Sequence, residues 1–576
     1  MQEVRGARPP WPERLLALAV ALLVTGPALG PGFVLLRDMV VVPRQDLDLD
    51  ALGLGGALPR AVPADAVLAL LTAVVPGDLV QKAVLFGAVY AAVLGAARLV
   101  PRDADGRGGA AAAVAGLVYG WSPYLAERLL MGHWSLLLAY AALPWVARAA
   151  LQVRDGEHRA LPRLVLACAP AALSPTGALL ALGVALAVVG RRRAAITAAT
   201  VLVLALPWIV AGALHPSGGR SDAAGVAAFA ARGEGWGGAL LSVLGTGGIW
   251  NAGAVPGSRT SVLVPVVTVF LLALAVLGWW GGELRGPHRR LLVLGGVGVL
   301  LACAGSVPGA ADLVAAVVRE VPGGGLLRDG QKWAAWWALP LALGAGVGAR
   351  RLAALARAGG RPPVLAGAVT VAALLLPVVA LPDLAWGVGG RLQPVDYPAD
   401  WQRVRNALAD DRHPGDVLVL PFGAYRSFDW NDGRPLLDPT PRWLPRPAVV
   451  DDALVVGGRT VAGEDARARA VAAAAGDPGE LARLGVGWVL VEHGTPGPST
   501  PSAVASLPRV VDGDELTLHR VPDAVAGPAP SPGRVTAVVL VHACALGMLV
   551  ISALWIMAGP STVTLRRRPP RKRVPE

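Results

Sequence analysis

The residues able to do chemistry gather at the ends of apolar runs. Phe33-Val-Leu-Leu-Arg37-Asp38-Met-Val-Val-Val-Pro43-Arg44-Gln-Asp46-Leu-Asp48-Leu-Asp50 follows the run 15–30 and precedes the run 79–100. Glu127-Arg128 and His133-Trp134 lie between the runs 110–120 and 135–150, and Arg328-Asp329-Gly-Gln331-Lys332-Trp333 leads into 334–349. Charge is costly in hydrocarbon, so acids and bases collected at one boundary raise a functional question. A carboxylate such as Asp38 or Glu127 can take the proton of an incoming hydroxyl. Arg37, Arg128, His133, Arg328, Asp329, Gln331 and Lys332 share that level, and arginine and lysine suit a phosphate.

Each of these residues also has a plainer reading. Arg37, Arg128 and Lys332 can be side chains that snorkel to the interface. Glu127-Arg128 fits a surface pair, and His133 an interfacial or structural residue. Asp46, Asp48 and Asp50 alternate with leucines, which suits either a solvated loop or one face of a strand turned to a divalent cation. No other metal ligands are assigned: the cysteines Cys168, Cys303 and Cys544 lie in or beside apolar runs without metal-type spacing. No nucleotide-binding loop, zinc-protease helix or nucleophile elbow stands in a usable context.

What must position these residues is a membrane bundle. Apolar residues make up 54% of the chain, charged residues 16%, and mean hydropathy is +0.54. Such values exclude an ordinary soluble protein. The net charge of +12 could suggest nucleic acid, but the arginines sit in short clusters between apolar runs, as the positive-inside rule expects. Further runs fall at 164–173, 178–190, 194–214, 262–280, 291–306, 364–381 and 535–557, giving about twelve spans. The pair 164–173 and 178–190 is short enough to be a tucked hairpin. Counted this way, every basic cluster falls on one face, which places both termini in the cytoplasm and Asp38 outside. The first run reads as an uncleaved signal anchor, with a cleaved signal peptide as the alternative.

The stretch 383–532 differs in kind. Asp416-Val-Leu-Val-Leu and Val486-Gly-Trp-Val-Leu-Val-Glu492 read as buried strands, 401–410 and 464–475 as helices, and 515–521 as a further strand. The expected organisation is a multi-span membrane domain, 1–382, with a catalytic-type external loop at 33–78. An extracytoplasmic α/β domain, 383–532, follows, then a last crossing at 533–558 and a basic cytoplasmic tail, 559–576.

This layout resembles the GT-C class of polytopic membrane glycosyltransferases. Leu117-Val-Tyr-Gly-Trp121-Ser122-Pro123, running on to Leu143-Pro144-Trp145-Val146, is similar to the membrane part of actinobacterial α-(1→3)-arabinofuranosyltransferases. Leu326-Leu-Arg328-Asp329-Gly-Gln331-Lys332-Trp333 resembles a loop of that group and of YfhO-like membrane proteins, whose soluble domain is matched by Leu481-Ala-Arg-Leu-Gly485-Val-Gly-Trp-Val-Leu-Val491. The resemblance implies a polyprenyl-phosphate sugar donor, an envelope glycan or lipid acceptor, and Asp38 in the catalytic acid's place. The expected function is transfer of a sugar on the outer face. The alternative is an exporter or flippase of envelope lipids, or a non-catalytic scaffold; transport would want ionisable groups deep in the bundle.

Overall fold

The computed structural model describes residues 11–56, 58–102, 109–216, 218–358 and 362–558. Arg5, Arg8, Arg107, Arg361 and the basic tail 559–576 lie outside them. Every apolar run read in the sequence is helical. Among the described residues, 8 helices are long and apolar enough to cross a membrane, from Pro12–Leu29 to Pro532–Met557. Ala160–Leu173, Pro175–Val189 and Val264–Trp280 are shorter apolar helices, and Gly109–Gly120 adds a further 12-residue one.

Burial sorts these helices into an inner and an outer set. In Trp134–Asp155 and Gly330–Arg357, 72% of the most apolar stretch is buried, against 17% in Pro363–Ala380 and Pro532–Met557. The outer helices keep aliphatic side chains on the outside, for example Val371, Leu375, Leu540 and Ile551, which is the surface a lipid solvent requires. Inside, close packing rests on small residues. A Cβ added at Gly348 would lie 1.9 Å from the Leu274 carbonyl oxygen, and one at Gly278 would lie 2.0 Å from that of Gly344. The backbones of Val264–Trp280 and Ala335–Arg357 therefore touch where both lack side chains.

Beyond the helix Pro363–Ala380 the period of the sequence changes and a sheet appears. Five strands lie in the spatial order Arg509–Asp512, Leu516–Arg520, Val486–Glu492, Asp416–Leu420 and Ala448–Val449. The first two pairings are antiparallel and the last two parallel. Side chains alternate across it as the pleat requires. Val417, Val419, Trp488 and Leu490 join the core that continues into the membrane bundle. Leu418, Leu420, Val489 and Val491 instead pack under the helices Ala466–Ala473 and Pro478–Arg483. With both faces covered, the central strands carry unbroken apolar runs, which is what made them legible.

Candidate active site

The Asp38 loop is built by pairing with distant parts of the chain. Phe33–Val34 forms an antiparallel ladder with Pro394–Val395. On its other side, Gln81 acts as a substitute strand, accepting from the Val34 amide at 2.9 Å and donating to the Val34 carbonyl at 2.8 Å. The Asp38 amide donates to the Met131 carbonyl at 3.1 Å, at the end of the short helix Pro123–Met131. That helix starts on Ser122, whose hydroxyl accepts from the Leu125 amide, and stops at Gly132 in the left-handed region, φ 76°. Gly132 must be a glycine for a second reason: a Cβ there would stand 2.1 Å from the Met39 nitrogen. The loop can therefore rest directly on the helix end.

Three separated segments converge there. The Asp38 Oδ2 lies 3.1 Å from His133 Nε2. Arg128 Nη1 donates to His133 Nδ1 at 2.9 Å. Because an arginine nitrogen only donates, Nδ1 is the acceptor and the ring proton sits on Nε2, aimed at Asp38. Arg128 then grips Asp329 with both nitrogens, at 2.7 and 3.1 Å, and donates to the Gln331 side-chain oxygen. Lys332 Nζ stands 3.8 Å from Asp329 Oδ2 with 27% of its side chain exposed. The arrangement is braced from behind: Tyr124 donates to the Lys332 carbonyl at 3.0 Å and stacks on Tyr140 at 4.7 Å.

The electrostatics favour an ionised Asp38. Protein crowds it closely enough for desolvation to push its pKa up. Hydrogen bonds from His133 and Tyr425 and the charge of Lys332 outweigh that, leaving it below the ordinary carboxylate range. Even so, 36% of its side-chain surface stays open. Asp329 is driven lower still: burial opposes ionisation, but Arg128 and Lys332 hold its charge. His133 is pushed down by burial more than Asp38 lifts it, and so stays neutral.

Not every sequence candidate points into this group. Glu127 is fully buried, accepts from the Gln331 side chain at 3.1 Å and from the Ile249 amide at 3.2 Å, and meets Glu234 around Gly247. Burial and Glu234 raise its pKa well above the usual value, and it faces the protein interior, not the Asp38 group. Arg37 turns inward and donates to the Leu130 carbonyl at 2.6 Å. Arg328 reaches Glu464, 3.4 Å away. Asp46 pairs with Arg405 at 2.6 Å and Asp48 accepts from the Ala51 amide at 2.8 Å, so these two are committed to different partners. Among the described residues, no group of three or more His, Cys, Asp or Glu side chains is arranged to hold a metal ion.

Sequence reasoning missed three members. Glu234 and Arg259 form a buried pair at 2.7 Å under the cluster. Tyr425, 387 residues from Asp38 in the chain, donates to Asp38 Oδ1. None of the three carries a local signal, since charged loop residues and a lone tyrosine in a turn are ordinary.

No family model and no curated protein matches the chain. Among solved structures it is similar to the cryo-EM structure of arabinofuranosyltransferase AftD from Mycobacteria. The TM-score is 0.55 at 18% identity, covering 92% of this chain and 40% of that one. The two share a fold. A mutant form of AftD gives 0.54 at 18% identity, covering 91% and 42%. The chain thus spans about two fifths of AftD's length, and the likeness read from the sequence is met in three dimensions at the level of fold.

Proposed function

We propose that this chain is a membrane glycosyltransferase that moves a sugar from a polyprenyl-phosphate donor to an envelope glycan or lipid at the extracytoplasmic face. The single observation that carries this reading is Asp38. It is an ionised, partly open carboxylate, fixed by His133 with Lys332 nearby, at one end of a bundle that shares its fold with AftD. In this reading about twelve helices cross or enter the membrane, 383–532 lies outside, and both termini are cytoplasmic.

Asp38 is the general base. The acceptor's hydroxyl oxygen attacks the anomeric carbon of the donor while its proton passes to the Asp38 carboxylate. The bond from that carbon to the phosphate oxygen breaks, and its electron pair leaves on the polyprenyl phosphate. Lys332, with 27% of its side chain exposed, is the cation offered to that phosphate, while Arg37, Arg128 and Arg328 hold the protein's own carbonyls and carboxylates. Asp329 and Gln331 keep Arg128 and Lys332 in place, and His133 orients Asp38 instead of exchanging protons with substrate.

The test is transfer of radiolabelled sugar from polyprenyl phosphate by purified protein in lipid. Asp38→Asn removes the proton acceptor and keeps the shape, so the rate should fall about 10²–10⁴-fold with folding intact. Asp512→Asn, whose side chain is 64% exposed in the native protein, is the control. Wild-type transfer by Asp38→Asn at equal expression would remove Asp38 from the mechanism.

A further inference from the structure

Tyr425 is committed to the site by its hydroxyl. With 37% of the residue exposed, that hydroxyl donates to Asp38 Oδ1 instead of being left to solvent. His133 holds the other oxygen, Oδ2, at 3.1 Å. Donors on different oxygens fix the plane of a carboxylate, and each oxygen keeps a second lone pair for a substrate proton.

The element carrying Tyr425 is tied to the loop it serves. Tyr425–Arg426 pairs with Leu436–Leu437. Arg37, next to Asp38, extends that hairpin: its amide donates to the Pro435 carbonyl at 2.6 Å, and its carbonyl accepts from the Leu437 amide at 2.7 Å. Behind Tyr425, Arg426 is anchored on Asp438 at 2.9 Å and on Glu492, and Glu492 accepts from Thr440 at 2.8 Å. The hairpin and the Asp38 loop therefore form one rigid unit built from both ends of the chain.

We infer that Tyr425 is a positioning residue for the transfer, orienting the Asp38 carboxylate, and that the site is incomplete without the 425–437 hairpin. The inference rests on the reading of Asp38 as base. The groups that act electrostatically with Asp38 are His133, Lys332, Tyr425, Arg37 and Arg442. Removing the tyrosine donor leaves burial less opposed, so Asp38 should take up its proton at higher pH.

The test uses the full chain in lipid with Tyr425→Phe, which keeps the ring and deletes one hydroxyl, and measures two things. The first is the pH dependence of labelling at Asp38 by a carbodiimide, which reacts with the protonated carboxyl, mapped by mass spectrometry. The midpoint should move up by about one pH unit. The second is sugar transfer, whose kcat/KM should fall roughly tenfold, with its acidic limb displaced the same way and Tm unchanged. An unmoved labelling midpoint, or an unmoved acidic limb in an active protein, would overturn the inference. The two readings fail separately. If Asp38→Asn still transfers sugar at the wild-type rate, the reading of Asp38 as base falls on that result alone, whatever the labelling of the tyrosine variant shows.

Discussion

Arg128 is the residue on which most of the site's geometry depends. Its side chain is fully buried against Asp329 and Gln331, and its contact with His133 sets the tautomer that faces Asp38. Breaking a buried ion pair by removing one partner leaves the other charge uncompensated, which costs about 3–5 kcal/mol. Arg128→Met should lower thermal stability by that order, and the loss should depend on pH in a definite direction. Asp329 has a depressed pKa in the folded protein, so its stabilisation is complete above the ordinary carboxylate pKa of about 4 and fades as pH falls below it. Without Arg128, burial is less opposed, so the carboxyl takes up its proton at higher pH than in the wild type. The gap in Tm between wild type and variant should therefore be widest near neutral pH and narrow on acidification. A gap that stays constant as the pH is taken well below about 4 would show that the pair is not what the variant breaks.

At the scale of elements, the sequence revealed what repeats and hid what touches. Runs of valine, leucine and alanine announced the helices. The short, unbroken apolar runs of Asp416–Leu420 and Val486–Glu492 announced the central strands, because a run rich in β-branched residues shows itself within a few positions. The strand Ala448–Val449 and the hairpin Tyr425–Arg426 with Leu436–Leu437 are two-residue pieces, too short for any period. Their form is dictated by partners, and Arg37 is one of them. Helix crossings were equally hidden, since a glycine in a membrane helix does not say which backbone it meets. Gly348→Ala brings its Cβ to 1.9 Å from the Leu274 carbonyl oxygen. It should force apart the helices Val264–Trp280 and Ala335–Arg357 and cost about 1–3 kcal/mol. Gly367→Ala, with nothing within 4 Å of the added carbon, should be neutral or slightly stabilising by helix propensity. Thermal unfolding of the two variants in one detergent checks the contrast; equal effects would mean that helix propensity, not the crossing, governs.

For the whole molecule, the decisive feature is that the sheet region and the membrane bundle share one apolar core. Trp401, Phe428 and Trp488 belong to the same buried cluster as Met39, Leu125 and Leu130. Salt bridges from Arg405 to Asp46 and Arg442 to Asp65 tie the two parts again beside the Asp38 loop. That loop is where 383–532 meets the bundle, so both parts must face the same side of the membrane at that level. Sidedness is then a single question with a single test. Val455 is 75% exposed on the hairpin Leu454–Val456 with Arg459–Val461. Glu157, whose side chain is 48% exposed, is expected on the opposite face from the distribution of arginine. In a background where Cys168, Cys303 and Cys544 are replaced by serine or alanine, Val455→Cys should react with a membrane-impermeant thiol reagent in intact cells. Glu157→Cys should react only after permeabilisation. The reverse pattern would put Asp38 in the cytoplasm, and the donor would then have to be presented from the inner leaflet.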